Sequence, residues 1–208
     1  MLYYQPLQVL YQQHFQQNVP SVRDLPLVNK TKGEKKMKDQ KPFQVLFMAQ
    51  AAMIAAIYVV LTVIFAPISF GQVQFRIAEA LTILPVFTPA AIPGLFIGCL
   101  IGNIMGGAIL PDIVVGSIAT LIGAIFTYTL RNHSRFLAPI PPIMSNTILV
   151  PFVLYYGYQI NIPIPFQMLT VGIGEVISCG VLGMIVHTAL SRYKDTIFGQ
   201  AASGQHLS

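Results

Sequence analysis

The chain has 208 residues, of which 54% are hydrophobic and 9% charged, and its formal net charge is +5 at pH 7. Because soluble domains carry roughly 25% charged residues, this composition excludes a water-facing surface over most of the chain and indicates an all-α membrane protein. Six of the twelve Lys and Arg residues lie between Lys30 and Lys41. Such a cluster fits a cytoplasmic membrane flank, and no basic face remains for a nucleic acid.

Residues 1–42 differ from the rest of the chain. They are rich in Gln and then in Lys, and they show neither helical apolar periodicity nor the order of a secretory signal. We expect a disordered N-terminal leader or tail. Met37 directly precedes the apolar run, and Lys32-Gly33-Glu34 can be encoded by a purine-rich string similar to a bacterial ribosome-binding site. The hypothesis that follows is a translation start at Met37, in which case residues 1–36 are not part of the protein.

The first predicted helix runs from Phe43 to Phe65 and ends before Pro67, which cannot donate the next backbone hydrogen bond. Its first half carries small residues four positions apart, so that they share helix faces and allow another helix to pack closely. These residues are Ala51, Ala52, Ala55 and Ala56. The pattern leaves open whether the neighbour is a helix of the same bundle or a separate subunit.

The next two predicted helices are short. One runs from Phe75 to Phe87 and contains Pro85 near its end, and the other runs from Ile92 to Met105. The second of these has a glycine at every fourth position: Gly94, Gly98, Gly102 and Gly106. A glycine ladder of this kind predicts a close approach by another helix backbone.

Three longer helices are predicted at Asp112–Leu130, Pro139–Tyr156 and Phe166–Leu190, followed by a tail over 193–208. With the amino terminus in the cytoplasm, the loops on the outer side contain no Lys or Arg, and Arg76 is the one Lys or Arg residue not on the cytoplasmic side. The positive-inside rule therefore predicts a six-transmembrane-helix bundle over 43–192 with both termini cytoplasmic.

Four ionisable residues fall at membrane depth or at its edge: Arg76, Glu79, Asp112 and Glu175. Because each costs about 2.5–3.5 kcal/mol at a helix centre, such residues are functional candidates. Arg76 and Glu79 are three positions apart and could pair with each other or line a polar outer pocket. Glu175 is expected to meet Arg76 or a ligand. For Asp112 we favour a helix-capping role over substrate contact, since a carboxylate suits a helix N-terminus.

No phosphate-binding loop, zinc-protease helix or nucleophile turn occurs in the sequence, so neither ATP hydrolysis nor a recognised hydrolase is encoded and the chain is not expected to be an enzyme. The two cysteines, Cys99 and Cys179, match no metal-ligand spacing. We interpret them as packing residues and expect neither a metal nor a cofactor.

Several sequence blocks resemble the QueT family over almost the whole stretch from Met37 to Lys194. The blocks are Phe65–Gly71, Gln74–Leu81, Pro93–Gly98, Leu137–Pro139, Pro141–Pro142, Asn146, Gly174–Glu175 and Ser178–Cys179. The Phe-Arg-x-x-Glu-Ala block that begins at Phe75 is the most specific of them.

The resemblance implies the substrate-binding (S) component of an energy-coupling factor (ECF) transporter in a bacterial cell membrane. Such a component would bind a queuosine precursor, a 7-deazaguanine, at the outer face. The implied partners are a transmembrane coupling subunit, with the first-helix alanines as its docking surface, and two cytoplasmic ATPase subunits. Alternatives are an S component for another metabolite or vitamin, a membrane-embedded enzyme and an assembly subunit.

A guanine-like edge offers two N–H donors and a carbonyl acceptor, so carboxylates and amides suit it and aromatic rings stack on it. The polar positions belong to the shared pattern, whereas the contact with ligand is inferred from this chemistry. The expected substrate-binding residues are Glu79, Glu175, Gln74, Arg76, Asn146, Phe75 and Tyr156.

Overall fold

The structure is a computed structural model that describes residues 26–69 and 76–193. All regular secondary structure in these two ranges is helical. The chain divides into two compact units, residues 1–44 and residues 45–208. The second unit contains the apolar helices and the buried ionisable side chains. The all-α class is therefore confirmed for the described residues.

The described helices follow in chain order, and only the α-helices are numbered, from α1 to α7. They are α1 (Pro26–Ile64), α2 (Ala66–Ser69), a 3₁₀ helix (Ile77–Val86), α3 (Ala91–Met105), α4 (Leu110–Thr129), a 3₁₀ turn (Leu130–Asn132), α5 (Ile140–Phe152), a π-helix (Val153–Gly157), α6 (Ile164–Glu175), a second π-helix (Val176–Leu182) and α7 (Gly183–Ser191).

Three helical stretches are long and apolar enough to cross a membrane: Gln44–Ile64, Leu110–Asn132 and Ile164–Ser191. Ile77–Val86 and Ala91–Met105 are apolar but shorter. These stretches support a membrane protein, whereas six crossings and cytoplasmic termini stay predictions. Helix α1 begins at Pro26, upstream of the predicted start at Phe43, and the division into leader, bundle and tail also stays a prediction.

The segment predicted at Phe75–Phe87 forms a 3₁₀ helix of 10 residues rather than a regular α-helix. Runs of this length are uncommon because 3₁₀ hydrogen bonds have poorer geometry. Two local features favour it here. Pro85 removes a backbone donor, and the Thr82 hydroxyl donates to the Glu79 carbonyl over 2.6 Å. This 3₁₀ helix carries Glu79, one of the predicted substrate-binding residues.

The glycine ladder of α3 packs against α1, as the sequence predicted. A Cβ atom at Gly94 would lie 2.7 Å from the Ala51 carbonyl oxygen, and one at Gly98 would lie 2.8 Å from the Tyr58 Cβ and 3.1 Å from the Ala55 Cα. Side chains at these glycines would therefore separate the two helices. Ala51 and Ala55 are used for packing inside the bundle.

The other alanine pair of α1 has a different environment. Ala52 and Ala56 are exposed, on a different side of the helix from the α3 contact. Packing inside the bundle is thus shown for Ala51 and Ala55, whereas docking of a separate subunit stays a prediction for the exposed pair, Ala52 and Ala56.

Candidate functional site

Two buried carboxylates meet in the interior of the bundle. Glu79 comes from the 3₁₀ helix and Glu175 from the last position of α6, and their exposed fractions are 0% and 4%. One ligand atom of each, together with the Cys179 sulfur, lies within 4.8 Å of the others. Two full negative charges about 5 Å apart repel by roughly 3 kcal/mol at an effective dielectric constant near 20. This repulsion disfavours having both groups ionised at once.

Glu79 is held from three sides. The Tyr58 hydroxyl of α1 donates to Glu79 Oε1 over 2.5 Å, and the Thr120 hydroxyl of α4 lies 3.5 Å from the same oxygen. The Asn146 amide of α5 faces both Glu79 and Glu175. Even so, no described residue completes a hydrogen bond of good geometry to Glu79 Oε2. This buried oxygen retains capacity to accept a hydrogen bond from a ligand.

Glu175 is held by Cys179 in the second π-helix. The Cys179 thiol donates to Glu175 Oε2 over 3.1 Å, and the Thr82 hydroxyl lies 3.4 Å from the same sulfur. Cys179 therefore links the 3₁₀ helix to the π-helix, which goes beyond the packing role expected from the sequence. A π-helix at this position is typical of functional sites, because its extra residue re-aims neighbouring side chains.

A second polar group lies beside the carboxylate pair. Arg76 forms an ion pair of 3.2 Å with Asp112, and both side chains are buried. The Tyr158 hydroxyl donates to Asp112 Oδ2 over 3.1 Å, and the Asn103 amide lies 3.5 Å from the Asp112 carbonyl oxygen. Gly116 leaves room for this group, since a Cβ there would lie 3.3 Å from Asp112 Oδ1.

The Asp112 carboxylate lies near the N-terminus of α4, as expected, but the expected capping hydrogen bond is absent. Helix α4 begins at Leu110 and makes no side-chain capping hydrogen bond, with Ile109 in the cap position. Asp112 lies in the first turn and neutralises Arg76 instead. Beyond the end of α5, burial and then the Asp112 carboxylate raise the pKa of the Tyr158 hydroxyl, so that this group stays a hydrogen-bond donor at neutral pH.

The structure brings together Glu79, Glu175 and Asn146 from the predicted site residues, with Arg76 in the adjacent group. Tyr156 is 70% exposed and does not join them. Gln74 and Phe75 lie outside the described residues, so their roles stay predictions.

Three neighbours of the carboxylates were not predicted from the sequence: Tyr58, Thr120 and Cys179. A signal for Tyr58 was present, because it lies three residues after Ala55 and seven after Ala51, hence on the face of α1 that packs inward. Cys179 also had a signal, because it lies four residues after Glu175 and within the Ser178–Cys179 block of the family resemblance. Thr120 had none, because small polar residues are common in packed membrane helices.

By distance, Glu79, Glu175 and Cys179 could hold a metal ion. Metal binding at a cysteine requires the thiolate. Here the Cys179 thiol donates a hydrogen bond to Glu175, so the cluster is arranged as hydrogen-bond donors and acceptors. These three side chains thus suit a ligand that carries N–H groups better than they suit a metal ion.

Buried ionisable side chains that face the interior of apolar, membrane-length helices are typical of membrane transport proteins. The comparisons with known proteins indicate the same class. A family model described as "QueT transporter" matches residues 48–192. The chain therefore belongs to the QueT transporter family, and the resemblance found in the sequence is confirmed.

A curated relative is the "Queuosine precursor transporter QueT" of Lactococcus lactis subsp. cremoris (strain MG1363). It is 34% identical over 88 residues, which cover 41% of this chain and 50% of the relative. The chain thus aligns with half the length of that relative. No solved structure matches the chain.

Proposed function

We propose that this protein is the substrate-binding S component of an ECF importer and that it binds a queuosine precursor of the 7-deazaguanine type. The observation that carries the proposal is the buried pair Glu79 and Glu175, found in a member of a transporter family. The curated relative's name supplies the substrate class.

The chemistry of the pair suits a guanine-like edge. An ionised carboxylate accepts two adjacent N–H donors, while an amide or a protonated carboxyl donates to the ring carbonyl. Glu79, Glu175 and Asn146 supply these groups, and Glu79 Oε2 keeps an unused lone pair. We propose Gln74 and Phe75, which precede the 3₁₀ helix, as further contacts from the outer side.

The ECF arrangement explains how a chain with no phosphate-binding loop could carry out uphill uptake. The energy would come from two cytoplasmic ATPase subunits through a transmembrane coupling subunit. A six-helix bundle with cytoplasmic termini in the bacterial cell membrane would place the site toward the outer face. The exposed alanines Ala52 and Ala56 would form the docking surface for the coupling subunit.

The proposal is tested by the melting temperature of the purified protein in detergent. The probes are 7-cyano- and 7-aminomethyl-7-deazaguanine, with guanine and a set of vitamins for comparison. A ligand that binds the folded state at a hundred times its Kd stabilises the protein by about 2.7 kcal/mol. We expect a selective rise in Tm with a deazaguanine.

Site variants locate the binding. Glu79→Gln and Glu175→Gln keep the side-chain shape and remove the charge, and each is expected to reduce the deazaguanine-dependent rise in Tm at a fixed ligand concentration while still binding at higher concentrations. Asp39→Asn makes a comparable change in the basic segment before the bundle and serves as the matched control. A vitamin that stabilises the folded protein where no deazaguanine does would replace the substrate assignment.

A further inference from the structure

The negative charges around the carboxylate pair outnumber the positive ones. Three buried carboxylates, those of Glu79, Asp112 and Glu175, share this region with one buried guanidinium, that of Arg76. The ion pair of 3.2 Å assigns Arg76 to Asp112. The adjoining segment 66–75 contains no Lys, Arg or His and so supplies no further cation. Within the described core, the Glu79–Glu175 pair lacks a full countercharge of its own.

The groups that face the pair from the surrounding helices are hydrogen-bonding rather than cationic. The Tyr58 hydroxyl of α1 and the Cys179 thiol of the second π-helix donate hydrogen bonds to the two carboxylates. Cys99 of α3 is connected to the pair through the Thr120 hydroxyl, which lies 3.4 Å from the Cys99 sulfur. Helix α5 contributes the Asn146 amide. Arg76 also attracts Glu79 from the start of the 3₁₀ helix, but its charge is already matched by Asp112.

Two buried carboxylates with oxygens within 4.8 Å titrate together, because ionising one makes ionising the other less favourable. The proposed ligands differ in their charge. A 7-cyano-7-deazaguanine is uncharged, whereas a 7-aminomethyl-7-deazaguanine carries an alkylammonium that, like the lysine side chain, is protonated at pH 7. An uncharged ligand leaves the charge imbalance in place, and a cationic one can remove it.

We propose that Glu79 and Glu175 share one exchangeable proton in the empty site, which is retained when an uncharged 7-deazaguanine binds and released to solvent when a positively charged one binds. This inference rests on the proposed function and adds how the site selects among charge forms of its ligand. In the uncharged complex the protonated carboxyl donates to the ring carbonyl while the ionised one accepts from N–H groups. In the cationic complex the ammonium takes the place of the proton.

The sign of the pH dependence follows from the proton count. The empty site holds one proton more than the complex with the cationic ligand, so a higher pH favours that complex. Its affinity is expected to rise about tenfold per pH unit wherever the empty pair keeps its proton and the ligand stays cationic. The affinity for the uncharged ligand is expected to stay flat over the same range.

Isothermal titration calorimetry of the full chain in two buffers with different ionisation enthalpies, phosphate and Tris, measures the protons exchanged on binding. With 7-aminomethyl-7-deazaguanine we expect release of about one proton, and with 7-cyano-7-deazaguanine about none. Equal proton counts for the two ligands would overturn the inference and leave the proposed function standing. If neither ligand binds, both this inference and the proposed function are wrong.

Single substitutions provide a second measure. Glu175→Gln and Glu79→Gln each leave one carboxylate, so binding of the aminomethyl ligand should release no proton in either variant. Asp39→Asn should still release about one. Proton release that persists in a folded glutamine variant contradicts the shared proton. If both variants fail to fold, the comparison of the two ligands on the unaltered protein decides the question by itself.

Discussion

At the scale of single residues, the ion pair between Arg76 and Asp112 determines what the neighbouring site can do. It pairs the one buried guanidinium of the described core with Asp112 rather than with either glutamate. It also joins the start of the 3₁₀ helix to the first turn of α4, and the Tyr158 hydroxyl extends the connection to the segment after α5. The ion pair therefore holds the start of the 3₁₀ helix, and with it Glu79, in position against α4.

Asp112→Asn is expected to lower the free energy of unfolding by about 3 kcal/mol, because it leaves the buried Arg76 charge without its carboxylate. Arg76→Gln should cost a similar amount. The double variant should cost clearly less than the sum of the two, because the charge and its countercharge are removed together. Denaturation of the purified variants in detergent measures all three values. Additive losses would show that the two side chains do not depend on each other.

The sequence alone singled out the two glutamates and Asn146 as candidate site residues, because charges and amides are rare in apolar helices. It could not assign their partners. Arg76 is three residues from Glu79, and the spacing made that pairing an option, yet Asp112 is the partner that the structure shows. Partner choice depends on how α4 packs against the 3₁₀ helix, and one sequence contains no direct record of that contact.

At the scale of elements, close backbone contacts position the site. The α1–α3 contact depends on Gly94 and Gly98, and it places Tyr58 where its hydroxyl reaches Glu79. The same glycine ladder was visible in the sequence at four-residue spacing. The 3₁₀ and π-helices were not, because the sequence features that favour them are weak compared with the tertiary contacts that select them.

Gly98→Val is expected to destabilise the protein by about 1–3 kcal/mol, since the new side chain would overlap Tyr58 and Ala55. It should also weaken binding of the deazaguanine, because a shift of α1 moves the Tyr58 hydroxyl away from Glu79. The unfolding midpoint and the ligand-dependent shift in Tm are the two measurements.

Gly180→Ala is the matched control for this variant. A Cβ at Gly180 would lie 3.8 Å from its nearest neighbour, Val176 Cγ1, which is ordinary van der Waals contact. We expect unchanged stability and unchanged binding. A Gly98→Val protein as stable as the control would mean that α1 and α3 do not need their close approach.

At the scale of the whole molecule, the described surface fits a protein surrounded by lipid. Large apolar side chains are exposed along the membrane-length helices, for example Met53 (64%) on α1 and Ile185 (60%) on α7. The buried charged groups lie inside the bundle. The composition predicted this inversion of the soluble pattern, but it could not say which exposed apolar positions would face lipid and which would face the proposed coupling subunit.

The exposed alanine pair of α1 separates these two roles. Ala56→Leu adds bulk to a surface that is already exposed, so it should leave folding and deazaguanine binding unchanged. If the coupling subunit docks closely on Ala52 and Ala56, the added side chain should prevent assembly, because closely packed helices tolerate only small residues at their contact. Co-purification of the variant with the coupling and ATPase subunits of its own host measures this.

Val114→Phe adds similar bulk to an exposed position on α4 and should co-purify normally. Loss of assembly in Ala56→Leu alone, with its Tm and ligand response unchanged, would place the coupling subunit on that face of α1. Since Ala51 and Ala55 on the adjacent face contact α3, helix α1 would then link the coupling subunit to the element that holds Tyr58 against Glu79. Normal assembly of Ala56→Leu would instead assign the exposed alanines to lipid and require a different docking face.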